Sequence, residues 1–191
     1  MLLHLVLSFL GIAAGLALSW QMAAINLGVA FLLWWYSHQL KRTLLAGNIT
    51  IALLTTISIL VVGFHFRTLT PLLFGYALFA FLLSLIREII KDMEDMKGDA
   101  SFDCYTLPIA FGIAGSKWVL YALLVAYFGL LLAMVPLVHW PLRIYALLLI
   151  VLPSVYLVFA LYRSDKKLHF RKLSTLCKLI MLCGVLSMML V

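Results

Sequence analysis

Seven long apolar runs, separated by short polar or charged connections, constrain this 191-residue chain more than any other feature. A segment surrounded by hydrocarbon must satisfy its own backbone polar groups, and an α-helix does so while crossing the bilayer in about 20 residues. The runs occupy about residues 2–19, 21–37, 48–66, 71–87, 117–138, 141–162 and 172–190. They are continuous rather than alternating residue by residue, so they point to helices and not to a transmembrane barrel. At 66% hydrophobic and 11% charged residues, the chain also falls far outside soluble domains, which carry about a quarter charged residues. The expected fold class is all-α: a polytopic transmembrane bundle of seven helices, forming a single transmembrane domain over residues 1–191.

The basic residues orient this bundle. Lys41 and Arg42 follow the second run, Arg67 stands alone after the third, and Arg87, Lys91, Lys97 and Lys117 surround the end of the fourth. Arg143 is then isolated, whereas Arg163, Lys166, Lys167, Arg171 and Lys172 crowd the last connection. Rich and poor connections alternate. The positive-inside rule therefore predicts an integral, multi-pass membrane protein with a cytoplasmic N-terminus and an outside C-terminus. Trp34, Trp35 and Tyr36 end the second run with aromatic residues of the interfacial kind. The first run has no basic segment before it, so it is read as a retained helix rather than a cleaved leader. The net charge of +7 reflects topology and contact with anionic headgroups or substrate, and no nucleic-acid partner is expected. Cys104, Cys177 and Cys183 fit no metal or redox spacing and read as small apolar filler.

Negative charge is confined to one place. Six of the seven acidic residues (Glu88, Asp92, Glu94, Asp95, Asp99 and Asp103) lie within sixteen positions, and only Asp165 lies elsewhere. If the fourth helix continues past Arg87 to about Gly98, then Glu88, Asp92, Asp95 and Asp99 share roughly 60° of arc on one face. Like charges at such spacings repel by about 0.2–0.5 kcal/mol each. Compensation by a divalent cation and by neighbouring Lys and Arg is the simplest remedy. Oxygen ligands on a helix end suit Mg²⁺, which binds through one or two carboxylates and completes its shell with water and phosphate. Arg87, Lys91 and Lys41 are placed to contact diphosphate oxygens. Acids, bases and an apolar bundle together describe a site for an amphiphile with a diphosphate head; the competing reading is a solvated loop of mixed charge.

These residues also carry a resemblance. Asp92-x-x-Asp95-x-x-x-Asp99, preceded by Arg87-Glu88 and followed by Thr106-Leu107-Pro108 and Gly112, resembles the second aspartate-rich motif of the UbiA superfamily of intramembrane prenyltransferases. Tyr36-Ser37-x-x-Leu40-Lys41-Arg42 is similar to that family's Tyr/Lys loop. The resemblance covers essentially the whole chain and is nearest to the branch that makes digeranylgeranylglyceryl phosphate. It implies Mg²⁺-dependent transfer of an isoprenyl group from a prenyl diphosphate to a lipophilic acceptor, such as geranylgeranylglyceryl phosphate or an aromatic quinone precursor. Asp92, Asp95 and Asp99 would hold the metal, Lys41, Arg87 and Lys91 would bind diphosphate, and Tyr36 and Lys41 would act at the reacting centre. Family members have nine helices and a first motif, Asn-x-x-x-Asp or Asn-Asp-x-x-Asp, after their second helix. Here Asn26 and Asn48 have no aspartate at that spacing, and no acid precedes Glu88. The seven helices would correspond to the family's third to ninth. The chain is then expected to be truncated, to have a misplaced start or to be an inactive copy, and a separate chain could supply the missing helices.

Two other classes compete. A transporter would carry ionisable groups near the midplane of several helices, whereas these acids lie at one end; a non-catalytic remnant would bind lipid diphosphate without turnover. The histidines at 4, 38, 65, 139 and 169 form no i, i+4 pair. Phe74, Tyr76, Phe79 and Phe81 are expected to pack, and the basic 163–172 connection is expected to touch anionic lipid.

Overall fold

The computed structural model describes residues 2–190, with side chains from residue 5 onward. Among the described residues the structure is all helical. Seven helices follow one another: α1 (Leu2–Leu18), α2 (Trp20–His38), α3 (Ala46–His65), α4 (Pro71–Ser101), α5 (Leu107–Met134), α6 (Trp140–Tyr162) and α7 (Lys167–Ser187). A short 3-10 turn, Leu40–Arg42, links α2 to α3. Five of the seven, α3 to α7, are long and apolar enough to cross a membrane. The protein is an integral, multi-pass membrane protein.

Local chemistry sets the helix ends. Ser19 separates α1 from α2 and its hydroxyl accepts from the Met22 amide at 3.2 Å, while the Thr70 hydroxyl accepts from Leu73 N at 3.2 Å, with Pro71 opening α4. α4 runs to Ser101, one turn past the expected stop at Gly98. The fifth helix begins at Leu107, ten residues before the expected Lys117. Its first turn follows Thr106 and contains Pro108, the usual start signal, and a break at Gly112 separates it from the rest. Gly112 has φ 69° and ψ 178°, which a side chain would strain. In α6 the kink expected at Pro153 takes the form of a π turn, Leu147–Val151, immediately before it. Proline lacks the amide and crowds the carbonyl four residues back, and the wider turn absorbs both defects.

The apolar core is built around α4. Its membrane-crossing window is 72% buried, against 22–33% for the four other long helices. Ile86, Ile89 and Ile90 of α4 pack with Leu120 and Leu124 of α5, Leu157 of α6 and Phe170 and Ile180 of α7. Tyr127 is fully buried, its hydroxyl 2.9 Å from that of Ser154. Of the four aromatics leading to the acids, Tyr76 and Phe79 are buried, Phe81 is partly buried and Phe74 is exposed. The three cysteines are free. Lys178 interrupts the last apolar run and is exposed on α7, where its stem can lie along apolar surface while the ammonium reaches for the interface.

Candidate functional site

α4 is longer than a bilayer is thick. Its 31 residues measure about 46 Å, against about 30 Å of hydrocarbon, so the last turns stand clear of it. Those turns carry the acids. A residue with a charged head can then lie one turn beyond a wholly buried aliphatic helix, and Ile89, Ile90 and Met93 do continue the buried face between the carboxylates.

Three connections gather at this end of the bundle. The Tyr105 amide donates to the Arg42 carbonyl at 2.9 Å, tying the segment after α4 to the turn that bears Lys41. Lys167, at the start of α7, approaches Asp95 at 3.7 Å. Lys117 on α5 binds Asp165 at 3.0 Å and the Tyr162 carbonyl at 3.2 Å. The regions around residues 40, 100 and 165, far apart in sequence, therefore share one face.

Asp92 is the most constrained of the acids. The Asn48 side-chain amide, buried in the first turn of α3, donates to Asp92 Oδ2 at 2.7 Å. Burial pushes the Asp92 carboxyl up to about 7; the Asn48 hydrogen bond pulls it down, Asp99 and Glu88 push it further up, and Lys91 lowers it. Asp99 is raised in the same way by burial and by the charge of Asp95, against Lys41 and Lys91. Glu88 is buried and pairs with its neighbour Arg87, which also lies close enough to Cys177 of α7 to act on it by charge. Tyr36, near the end of α2, is half-buried with its hydroxyl in the field of Glu88, Asp92 and Asp99.

The expected residues divide accordingly. Tyr36, Lys41, Lys91, Asp92 and Asp99 face a common patch, with Asp92 inside it and Lys41 and Lys91 at its rim. Asp95 sits on the flank toward α7, and Arg87 is turned against Glu88. Gly47 makes the close approach at the rim possible. A Cβ there would stand 2.7 Å from the Leu40 carbonyl oxygen, so any side chain would push away the turn carrying Lys41.

Two contributors were not evident from the motifs. Asn48 finds its aspartate 44 residues away on α4 rather than downstream on its own helix. The signal for it was a lone amide in an apolar run, since a buried polar group needs a partner. Lys167 approaches Asp95 only because α7 packs on α4. Thr106, which precedes α5, is buried with no hydrogen-bond partner for its hydroxyl.

Among the described residues no three His, Cys, Asp or Glu side chains converge into a complete metal cage. Mg²⁺ does not need one: it takes one or two carboxylates and fills its remaining positions with water and phosphate. The hard oxygens of Asp92 and Asp99, with Lys41 and Lys91 beside them to receive phosphate, fit that ion, and Asp95 stands on the flank toward α7.

Known proteins agree with this architecture. The chain matches the UbiA prenyltransferase family over residues 1–182 and belongs to it. It is 30% identical to the digeranylgeranylglyceryl phosphate synthase of Methanosphaera stadtmanae over 96% of this chain and 67% of the relative. Its identity to the synthase of the same name from Saccharolobus solfataricus is also 30%, over 98% and 67% of the two chains. A solved structure from work on digeranylgeranylglyceryl phosphate synthase in membranes superimposes with a TM-score of 0.68 at 26% identity, covering 95% of this chain and 65% of that one. Within the family the chain stands on the branch of those synthases, and it spans about two thirds of their length.

Proposed function

We propose that this protein serves in transfer of an isoprenyl group from a prenyl diphosphate to a glyceryl phosphate lipid within the membrane. The observation that carries the reading is Asp92, an acid locked by Asn48 at the end of the most buried helix, with Lys41, Lys91 and Tyr36 around it. The names of the relatives supply the substrate class, and the chemistry of the patch suits it.

In this reaction the bond between the prenyl C1 and the diphosphate oxygen breaks, the diphosphate leaves with the electron pair, and a hydroxyl oxygen of the acceptor bonds to C1 and loses its proton. Asp92, Asp95 and Asp99 would hold Mg²⁺, which when bound offsets charge on the departing diphosphate. Lys41 and Lys91 bind diphosphate oxygens from the rim, and Arg87 adds positive potential from within. Tyr36 lines the path of the allylic carbon, where an aromatic face favours developing positive charge. The apolar bundle behind the patch excludes water. The patch is assigned to the cytoplasmic face, with the N-terminus inside and the C-terminus outside, because the basic residues concentrate at that end. Turnover would also require an asparagine-and-aspartate motif like the family's first, supplied by residues beyond these 191 or by a separate chain.

The test is equilibrium binding of geranylgeranyl diphosphate to the detergent-purified chain, with Mg²⁺ or with EDTA. Binding is expected to require Mg²⁺ and to fall by roughly a hundredfold in Asp92→Asn, as loss of a charged ligand to a metal and phosphate site should produce. Equal binding by Asp92→Asn and the parent chain would sink the proposal.

A further inference from the structure

A second site lies on the outer flank of the bundle, where α6 gives way to α7. The two helices enclose a cleft of about 520 Å³. Arg163, His169 and Lys172 stand at its mouth, and Tyr156, Phe159 and Leu176 form its wall. A second cleft of about 390 Å³ shares Tyr156, Lys172 and Leu176 with the first, adds Arg171 to the basic end and continues along α7 to Leu179. Basic groups thus sit at one end and an apolar groove leads away from them into the span.

Charge balance shows what could settle there. No carboxylate lines either cleft. The two nearby acids are already engaged, Asp165 by Lys117 at 3.0 Å and Asp95 by Lys167 at 3.7 Å. Among the described residues neither Arg163 nor Lys172 has an ion-pair partner. Lys172 lies five residues into α7, about 7.5 Å along its axis, near the end of the helix that carries the other basic residues. The exposed faces of Tyr156 and Phe159, 64% and 68% accessible, flank the basic mouth, so a molecule with both a phosphate and an acyl or isoprenyl chain matches the cleft along its length, whereas a free phosphate matches only its mouth.

From this juxtaposition of basic mouth and apolar groove we infer that the α6–α7 cleft binds one anionic membrane lipid, its phosphate between Arg163 and Lys172 and its chain along Tyr156, Leu176 and Leu179. A zwitterionic lipid is disfavoured because the cleft offers its ammonium group no carboxylate. Prenyl transfer plays no part in the argument, so the two readings stand or fall separately.

Native mass spectrometry of the whole chain, equilibrated in detergent with equal phosphatidylglycerol and phosphatidylcholine, tests this. The parent chain should retain one phosphatidylglycerol in preference to phosphatidylcholine by roughly thirtyfold, the scale of two basic contacts at a membrane surface. Arg163→Gln/Lys172→Gln should bring the ratio near parity. Lys97→Gln/Lys166→Gln, with the same change in net charge at the same end but outside the cleft, should preserve it. Inorganic phosphate at millimolar concentration should not displace the lipid. A retained preference in the first variant, an equal loss in the second or displacement by phosphate would each overturn the inference. A photoreactive phosphatidylglycerol provides a measurement that needs no variant: its crosslinks should fall within residues 156–179, and crosslinks elsewhere would count against the site.

Discussion

The α1–α2 hairpin and the first half of α4 are both dominated by aliphatic and aromatic residues, yet the structure treats them oppositely. Among the described side chains of the hairpin only Gly15, Met22 and Ala23 are buried, with Leu5, Phe9, Leu16 and Leu27 all more than half exposed. In α4, Leu83, Ile86, Ile89 and Ile90 are at most 1% exposed. In a bilayer an apolar side chain loses nothing by facing lipid, so greasiness does not select the central helix. Small and polar residues do. The buried residues of α3 are Gly47, Asn48, Thr50, Ala52 and Gly63, with no large aliphatic among them. Ser84 and Glu88 on α4 and Ser174, Cys177 and Gly184 on α7 continue the pattern.

Core truncation offers the largest contrast. Ile89→Ala should cost about 2–5 kcal/mol, because the cavity it leaves is surrounded by protein, whereas Leu16→Ala on α1 should cost under about 0.5 kcal/mol. Unfolding in graded denaturing detergent would measure both, and equal losses would erase the distinction between the two regions. Next comes the polar lock that joins α3 to α4. Asn48→Leu strips the buried Asp92 carboxylate of its donor and should cost about 1–3 kcal/mol. It should also weaken Mg²⁺-dependent diphosphate binding without altering helical content by circular dichroism.

Asp92 also makes stability depend on pH. Its folded value, about 7, lies above the ordinary carboxylate range, so the folded state holds this proton more tightly than the unfolded chain. The contribution is full below that ordinary range and is lost as pH rises through about 7. Thermal stability without divalent ions should therefore fall between about pH 4 and 7 and level off above, and the slope should flatten in Asp92→Asn. The smallest effect belongs to Lys167→Gln. Its partner Asp95 and the lysine are both substantially exposed at 3.7 Å separation, so the loss should stay below about 0.5 kcal/mol in the same unfolding assay. A larger value would mean that the flank of the acidic face is as rigid as Asp92.

Much of the site was legible before the fold. Segregation of the acids between Glu88 and Asp103 marked the helix end, because so much like charge on one face demands a cation. Lys41 was picked out by its charge and Tyr36 by the resemblance of its loop to that of the family; the structure brings Tyr36 beside Asp92 and Asp99, and Lys41 beside Asp99. Asn48 was visible only as an amide without a local aspartate, since its partner lies on another helix. The early start of α5 was obscured because Leu107 to Phe111 are too few apolar residues to cross a membrane, and Gly112 interrupts their helix from the next.

The residues alone determined that this chain enters a membrane as helices and that its acids gather at the end of the fourth. Each follows from transfer of side chains and backbone between water and hydrocarbon, a property of local segments. Tertiary structure decided which helix stands at the centre, that Asn48 grips Asp92 and that Lys167 meets Asp95. Those outcomes depend on close approach between segments far apart in the chain, where a glycine, a hydroxyl or a single amide outweighs a run of leucines.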